Sequence, residues 1–364
     1  MAIVYLNNAA TSFPKPPEVH EAVARCLAQP PVEPGRTGGG ADPLQACRRA
    51  VASLLGVRDP NRVALLPSCT HALNTALMGL LGPGDHAITT TLEHNSVLRP
   101  LAHLRKRGVE VDIVAPQLDG SIAAGDVRAV LRDDTRAVVV IHASNVTGTI
   151  APIESIAAEA AEAGAALVID AAQSAGCVPI DVDALPGRVF VAFAGHKGLY
   201  GPAGTGGLIV PDDELSQLVV GGTGVRSDAE LHPGELPLRH EAGTPNLPGF
   251  AGLCAGAAFT TKRGVACLGA HRKALILRLR GGLGRIDRVR LAPLPREDGR
   301  AGVTSFTVQG WPPEEIGFAL REAFGIELRT GLHCAPLVHA WMQTLPAGSV
   351  RVSVGAYNTE VVNR

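Results

Sequence analysis

Short apolar runs of strand length recur along the first two-thirds of the chain, at residues 63–66, 86–91, 109–115, 137–142, 165–170, 188–193 and 207–210. Between most of them lie stretches whose apolar positions repeat at helical spacing, such as 72–81, 96–106 and 153–163. A continuous apolar run fits a strand buried on both faces, and alternation with helices implies crossover connections. The pattern therefore predicts an α/β fold with a mainly parallel sheet of seven strands covered by helices on both sides. From about Pro245 the pattern changes. A helical region is followed by an apolar run at 303–308, a helix at 313–324 and runs at 326–329 and 350–354, which reads as a smaller α+β unit. The expected organisation is a large domain over 14–245 and a small domain built from 1–13 and 246–364. The proline- and glycine-rich segment 29–40 reads as a loop.

Composition narrows this picture. A chain of 364 residues exceeds what one ordinary core organises, in keeping with a large and a smaller unit. Charged residues make up only 18% and the net charge is −1, which argues against nucleic-acid or membrane-surface binding through bulk electrostatics. No apolar run reaches the roughly 18 residues of a membrane span. The opening Met1-Ala2-Ile3-Val4-Tyr5-Leu6 has neither a basic stretch nor a cleavage site, so a cytoplasmic protein is expected. Seven cysteines at irregular spacing form no CxxC pair and are expected to be reduced and mostly buried. No metal-ligating pattern stands out.

The chemistry concentrates after the run at 188–193, where Ala194-Gly195-His196-Lys197 opens into Gly198-Leu199-Tyr200-Gly201-Pro202. A lysine at the end of an apolar strand can form a Schiff base once its surroundings lower its charge. In open α/β sheets, ligands sit beyond the carboxyl ends of the strands, which gathers other residues toward the same place. Ser68-Cys69-Thr70 makes a small-residue turn opening a helix, where free amides and the helix dipole favour a phosphate. A helix N-cap by Ser68 or Thr70 accounts for that turn equally well. Glu93-His94 follows the next strand, and a histidine there can stack on an aromatic cofactor. Asn145 follows the strand at 137–142, Asp170 ends the strand at 165–170, and Gln173 lies one turn on. A pyridinium nitrogen needs a carboxylate such as Asp170 to stay protonated and electron-withdrawing. Phosphate turn, histidine, asparagine, aspartate and lysine together are what pyridoxal 5'-phosphate (PLP) requires.

From Leu6-Asn7-Asn8-Ala9-Ala10-Thr11 to Tyr357-Asn358-Thr359 the chain resembles the class V aminotransferases of the fold-type I PLP enzymes, within the cysteine desulfurase and selenocysteine lyase branch. The resemblance implies that Lys197 carries PLP, that Asp170 pairs with the pyridine nitrogen and that His94 stacks on the ring. It implies that Gln173 reaches the phenolic oxygen and that Ser68, Cys69, Thr70 and His196 surround the phosphate. Glu241-Ala242-Gly243-Thr244-Pro245-Asn246 is similar to the segment that brings a threonine to the partner subunit's phosphate, which implies a homodimer with Thr244 completing the neighbouring site. Asn145 and Arg351 match the clamp on the substrate carboxylate, with Arg329 nearby. Arg329-Thr330-Gly331-Leu332-His333-Cys334-Ala335 resembles the group II nucleophile motif, which implies Cys334 as the sulfur-accepting thiol.

The chain departs from the family pattern at several places. Ala194 stands where a serine or threonine is usual, Leu332 replaces the first histidine of the cysteine motif, and His71 stands where glutamate is common. The Arg36 and Gly38-Gly39-Gly40 loop lacks a histidine commonly found nearby, and relatives continue beyond Val361-Val362-Asn363-Arg364. Three readings follow. One is a cysteine desulfurase passing persulfide sulfur to an acceptor protein. The second is another PLP reaction, either C–S or C–Se lysis of cystine, thiocysteine or selenocysteine, or amino transfer. The third is a non-enzymatic relative that keeps the fold as an interaction module.

Overall fold

Residues 3–30, 42–293, 295 and 300–360 are described by a computed structural model of the chain. β1 (Val4–Tyr5) leads into α1 (Pro17–Leu27) and α2 (Pro43–Leu54). Asp42 starts α2, its carboxylate accepting from the Leu44 and Gln45 amides at 2.9 and 3.3 Å while Pro43 takes the first helical position. The alternating region then runs β2 (Val63–Leu66), α3 (Cys69–Leu80), β3 (His86–Thr90), α4 (Asn95–Arg105), β4 (Glu110–Val114), α5 (Ala124–Arg128), β5 (Thr135–Ile141), α6 (Ile153–Glu162), β6 (Ala166–Asp170), β7 (Val189–Ala194) and β8 (Gly206–Ile209).

These seven strands, β2 to β8, form one sheet in the order β2-β8-β7-β6-β5-β3-β4. β8 runs antiparallel to both neighbours, and the remaining pairs are parallel, so the expected seven-stranded mainly parallel sheet is present. Side chains alternate between its faces. Val138, Val140, Leu167, Ile169, Val191 and Phe193 enter one apolar cluster, and Ala137, Val139, Ala166, Val168, Phe190 and Ala192 enter the other. That double burial explains why these strands read as continuous apolar runs.

The second half begins with α7 (Leu247–Arg263), which lies along α1 and α2, and α8 (Val265–Leu283). Phe250, Leu253 and Ala257 of α7 join the cluster of the large sheet. β9 (Val289–Leu291), β10 (Val303–Val308), α9 (Pro313–Phe324), β11 (Ile326–Glu327), β12 (Arg329–Gly331), α10 (Pro336–Trp341) and β13 (Ser349–Ser353) follow. β12, β13, β10 and β9 make an antiparallel four-stranded sheet. The run at 326–329 is not one strand. Ile326 and Glu327 pair in parallel with Val4 and Tyr5, whereas Arg329 to Gly331 pair with β13, so the chain changes sheets at Leu328. β1 thereby ties the N-terminus to the smaller unit. Of the expected loop at 29–40, only 29 and 30 are among the described residues; Arg36, the Gly38–Gly40 triplet and 361–364 lie outside them.

Candidate active site

β7 ends at Ala194, and the turn after it carries Lys197. Gly195 is required there, because a Cβ would sit 2.2 Å from Thr205 Oγ1. The N-terminal segment fixes the same turn from outside. The His196 carbonyl accepts from the Ser12 amide and hydroxyl (both 3.1 Å), from Thr11 Oγ1 (3.1 Å) and from Lys15 Nζ (2.8 Å). Withdrawal from water lowers the Lys197 amine below its ordinary value against the opposing pull of Asp170 and Cys69, with Arg351 adding to the lowering. A neutral amine, ready to act as a base or nucleophile, is thus accessible to Lys197. Ala194 adds its methyl to the apolar cluster that includes Cys69 and Ala172, so this departure from the family pattern strands no polar group.

Asp170 closes β6 and is buried. Oδ1 accepts from the Ala172 amide at 2.9 Å and from Cys69 Sγ at 3.5 Å, leaving Oδ2 without a partner among the described residues. Cys69 is buried beside this carboxylate, and desolvation followed by the charge of Asp170 pushes its thiol well up. Cys69 is thereby an inert neighbour rather than a nucleophile. Ser68 caps α3, its hydroxyl accepting from the His71 amide at 3.1 Å, so the capping role weighed for this turn is present. Capping leaves the Cys69 and Thr70 amides unpaired among the described residues, as an anion site at a helix start requires. Gly206 of β8 presses against this turn; a Cβ there would lie 2.9 Å from the Cys69 nitrogen.

His94 caps α4, with Nδ1 accepting from the Ser96 amide at 3.0 Å and also meeting the Ser96 hydroxyl. Burial lowers its pKa to about 4, partly opposed by Asp170 and reinforced by the charges of Lys197, Arg351 and Arg329. The ring is therefore neutral at physiological pH. It lines a cavity of about 510 Å³ together with Thr70, Asn74, Arg99 and Cys334. His196 is lowered to about 4 as well, first by burial and then by Lys197 and Lys15.

Beyond the strand ends stands the small unit. Arg351 on β13 is buried; Nη1 donates to the Asn145 carbonyl (3.1 Å), Nη2 to Asn7 Oδ1 (3.3 Å), and Nε has no partner among the described residues. Burial and the charge of Arg329 lower it to about 10, still cationic at neutral pH. Arg329 faces Arg351 across the β12–β13 ladder and is exposed. After β12 the chain turns sharply through Leu332, His333 and Cys334. Gly331 and Gly348 allow this by crossing so closely that a Cβ on Gly348 would lie 2.2 Å from the Gly331 carbonyl oxygen. His333 and Cys334 both have left-handed backbone, at φ 49° and 58°. The His333 ring is buried against the Ser349 carbonyl (3.2 Å) and hydroxyl (3.1 Å), whereas Cys334 is exposed and borders the cavity.

Most sequence-predicted residues thus share one locality. Thr70, His94 and Cys334 line the same cavity, and Asp170, Lys197, Arg351 and Arg329 act electrostatically on His94. Gln173 lines a smaller recess with Lys197, and its side-chain nitrogen donates to the Ala9 carbonyl at 2.9 Å. Thr244 is exposed and borders neither hollow. Of the seven cysteines, Cys47, Cys69 and Cys177 are buried, while Cys267 is exposed like Cys334, so fewer are buried than expected. Sequence reasoning missed the buried Glu93, the anchor of the His333 ring on Ser349, and the Asn7 contact with Arg351. Glu93 carried one signal, its place immediately before His94 at a strand end.

Residues 4–361 match the family model "Aminotransferase class-V", and the chain belongs to that family. Its relatives narrow the field. It is 32% identical to a probable cysteine desulfurase of Methanothermobacter thermautotrophicus over 98% of this chain and 91% of that protein. It is also 32% identical to a cysteine desulfurase of Yersinia pseudotuberculosis over 87% and 79%. Among solved structures, the apo cysteine desulfurase of Thermococcus onnurineus superposes with a TM-score of 0.90 at 30% identity, covering 98% of this chain and 91% of that one. A cysteine desulfurase of Escherichia coli gives 0.87 at 26% identity, with the same coverage.

Enzymes of this family are PLP-dependent, and the residues present fit that cofactor. Oδ2 of buried Asp170, unpaired among the described residues, suits a pyridinium nitrogen, and the Cys69 and Thr70 amides, unpaired there too, with the Gly206 approach suit a phosphate. The neutral His94 ring suits an aromatic face, and desolvated Lys197 suits a Schiff base.

Proposed function

We propose that the chain is a PLP-dependent cysteine desulfurase that converts L-cysteine to L-alanine and leaves a persulfide on Cys334. The observation that carries this reading is an exposed cysteine in left-handed backbone, bordering the same cavity as Thr70 and His94. An aminotransferase has no use for such a thiol.

The residues divide the work. Thr70, with the amides at the start of α3 and the His196 ring, would hold the cofactor's phosphate, Asp170 its ring nitrogen and Lys197 its carbonyl carbon. When bound, PLP supplies an electron sink for the α-carbon of the substrate. Arg351, with Nε free and a planar fork of donors, grips the substrate carboxylate. The Lys197 amine, already biased toward its neutral form, removes the α-proton. His94 presents an uncharged face and adds no competing positive charge. The Cys334 sulfur, as thiolate, attacks the substrate sulfur: an S–S bond forms, the C–S bond breaks, and its electron pair stays with the three-carbon fragment. That fragment is protonated to alanine. Cysteine plus enzyme thiol therefore gives alanine plus enzyme persulfide, and no external oxidant is needed.

A homodimer belongs to the same reading. Thr244 is exposed and lines neither hollow of its own chain, which fits a residue serving a partner's site. The preceding segment also exposes Val220 and Leu231 at 65% and 82%. No helix among the described residues is long and apolar enough to cross a membrane, which suits the cytoplasmic location we infer. A persulfide on an exposed loop suits delivery to an acceptor protein.

Purified protein given cysteine, selenocysteine or thiocysteine, with alanine, sulfide and bound persulfide followed, tests the reading. Alanine and persulfide should form from cysteine and vanish in Cys334→Ala. Full cysteine turnover in that variant would replace this reading by direct C–S lysis, and a keto acid without alanine would indicate amino transfer. A PLP absorbance band near 420 nm that disappears in Lys197→Ala excludes a non-enzymatic relative.

A further inference from the structure

Arg272 on α8 is a buried cation that takes no part in the chemistry proposed above. It is only 6% exposed, and no aspartate or glutamate pairs with it among the described residues. Nη1 donates to Cys177 Sγ, and Nη2 donates to the Tyr200 hydroxyl at 2.8 Å. A thiol that itself donates to the Ala175 carbonyl (3.9 Å) and a phenol offer hydrogen bonds, not the full counter-charge of a carboxylate. The Tyr200 oxygen is shared besides, accepting from the Ala356 amide at 2.6 Å. Arg272 Nε is buried with no partner among the described residues. A buried guanidinium with one idle donor and no carboxylate beside it is destabilising unless another group supplies the negative charge.

The fold shapes a recess against this side chain. Arg272, Cys177, Lys197, Gln173, Ser12 and Gly302 are among its lining residues, and no carboxylate is. Its volume is about 20 Å³, room for one particle of the size of a water molecule. Two glycines permit the close packing around it. A Cβ on Gly302 would lie 2.8 Å from Arg272 Cβ, and one on Gly198 would lie 2.5 Å from Cys177 Sγ. The recess is also tied to the Lys197 turn, because the Tyr200 amide donates to the Lys197 carbonyl at 3.0 Å while the Tyr200 hydroxyl receives Arg272. Two basic side chains without an acidic one favour an anion, and the small volume excludes carboxylates, phosphate and sulfate.

We propose that this recess binds a single-atom monovalent anion of halide size beside Arg272 and Lys197, at a place separate from the phosphate turn and from Arg351. The anion accepts from Arg272 Nε and supplies the counter-charge that the guanidinium lacks. By fixing Arg272 it also steadies Tyr200, and with it the turn that carries Lys197. The site is independent of which PLP reaction the chain performs.

Crystals of the holoenzyme grown in sodium bromide test the site directly through anomalous differences at the bromine absorption edge. A bromide peak should stand in the recess in contact with Arg272, and a recess without one overturns the proposal. Thermal unfolding of the holoenzyme, with chloride replacing gluconate at constant ionic strength, tests it in solution. Chloride should raise the midpoint along a saturating curve, by about 2 °C at ten times the half-saturating concentration. Sulfate at matched ionic strength should give no saturating rise. Arg272→Gln should lose the saturating response to chloride; if that variant does not fold, the bromide peak and the contrast between chloride and sulfate in wild type decide. A chloride response that never saturates, or one that sulfate reproduces, overturns the proposal and reduces any bromide peak to binding at crystal concentration only.

Discussion

Replacing Glu93 by glutamine should remove a pH-dependent liability from the fold. Glu93 is buried behind His94; Oε1 accepts from the Ile141 amide (2.8 Å) and the Thr90 hydroxyl (2.7 Å), and Oε2 has no partner among the described residues. Withdrawal from water, helped by the negative charge of Asp170, outweighs those two bonds and raises its pKa from 4.5 to about 8. Between these values the folded state keeps a proton that the unfolded state releases. The folded form therefore binds more protons, and stability falls as pH rises through this window. At about 1.4 kcal/mol per pH unit, a displacement from 4.5 to about 8 corresponds to a ceiling of roughly 5 kcal/mol. Glutamine keeps the oxygen acceptor and cannot ionise. Urea unfolding of the apo-proteins at pH 5 and pH 8 would check the expectation. Glu93→Gln should match wild type within about 1 kcal/mol at pH 5 and exceed it by several kcal/mol at pH 8. Buried histidines tilt both proteins alike toward lower stability in acid, so the difference between them reads Glu93. Parallel pH profiles would refute the reasoning, because they would mean that this carboxyl ionises in the folded state as it does in the unfolded chain.

Arg351→Lys replaces a fork of donors by one ammonium group; losing a charge-assisted bond of about 1.5–3 kcal/mol should raise KM for cysteine by roughly 10- to 100-fold with a smaller effect on kcat. An unchanged KM in steady-state alanine formation would remove Arg351 from the carboxylate site. Gly206→Ala would set a Cβ 2.7 Å from the Phe193 carbonyl oxygen and 2.8 and 2.9 Å from the Ser68 and Cys69 backbone. Since none of these is a flexible side-chain end, the turn must shift, and the PLP dissociation constant, read from absorbance titration, should rise about tenfold. Undiminished PLP affinity would place the phosphate elsewhere. Lys197→Ala should lose the 420 nm band and lower alanine formation by at least about a thousandfold, checked by absorbance and product assay; residual turnover near wild type would deny it the role of base.

How much of this was legible in the sequence depends on where each residue's partners lie. The sheet was readable because burial on both faces leaves continuous apolar runs, and Lys197, Asp170 and His94 were readable because they follow such runs directly. The division of 326–329 between two sheets was not, since its cause is the return of Val4 and Tyr5 across the chain. Side-chain bonds were hidden for the same reason: Asn145 meets His333 across 188 residues and Gln173 meets Ala9 across 164. Ser68 shows the intermediate case. Its turn was visible, with capping and phosphate binding both open, and only the bond to His71 reveals that the hydroxyl caps the helix and leaves the next two amides free.

The histidines predicted for the site carry no charge of their own at neutral pH. Burial lowers His94 and His196 to about 4 and His333 to about 2, so at neutral pH none of the three adds positive charge. Arg351 and Arg329 remain as cations beside the proposed carboxylate site, and Asp170 opposes their effect on His94. A protonated His94 would repel the pyridinium that Asp170 is placed to stabilise, and it would lower the basicity of Lys197 further. Keeping the ring neutral costs fold stability in acid: these groups bind protons more readily when unfolded, so stability falls as pH drops from 6.5 toward 4. Glu93 tilts stability the other way above 4.5. Both slopes arise from one cause, the withdrawal of this site from water, and that withdrawal is also what biases the Lys197 amine toward the neutral form on which its proposed role as base depends.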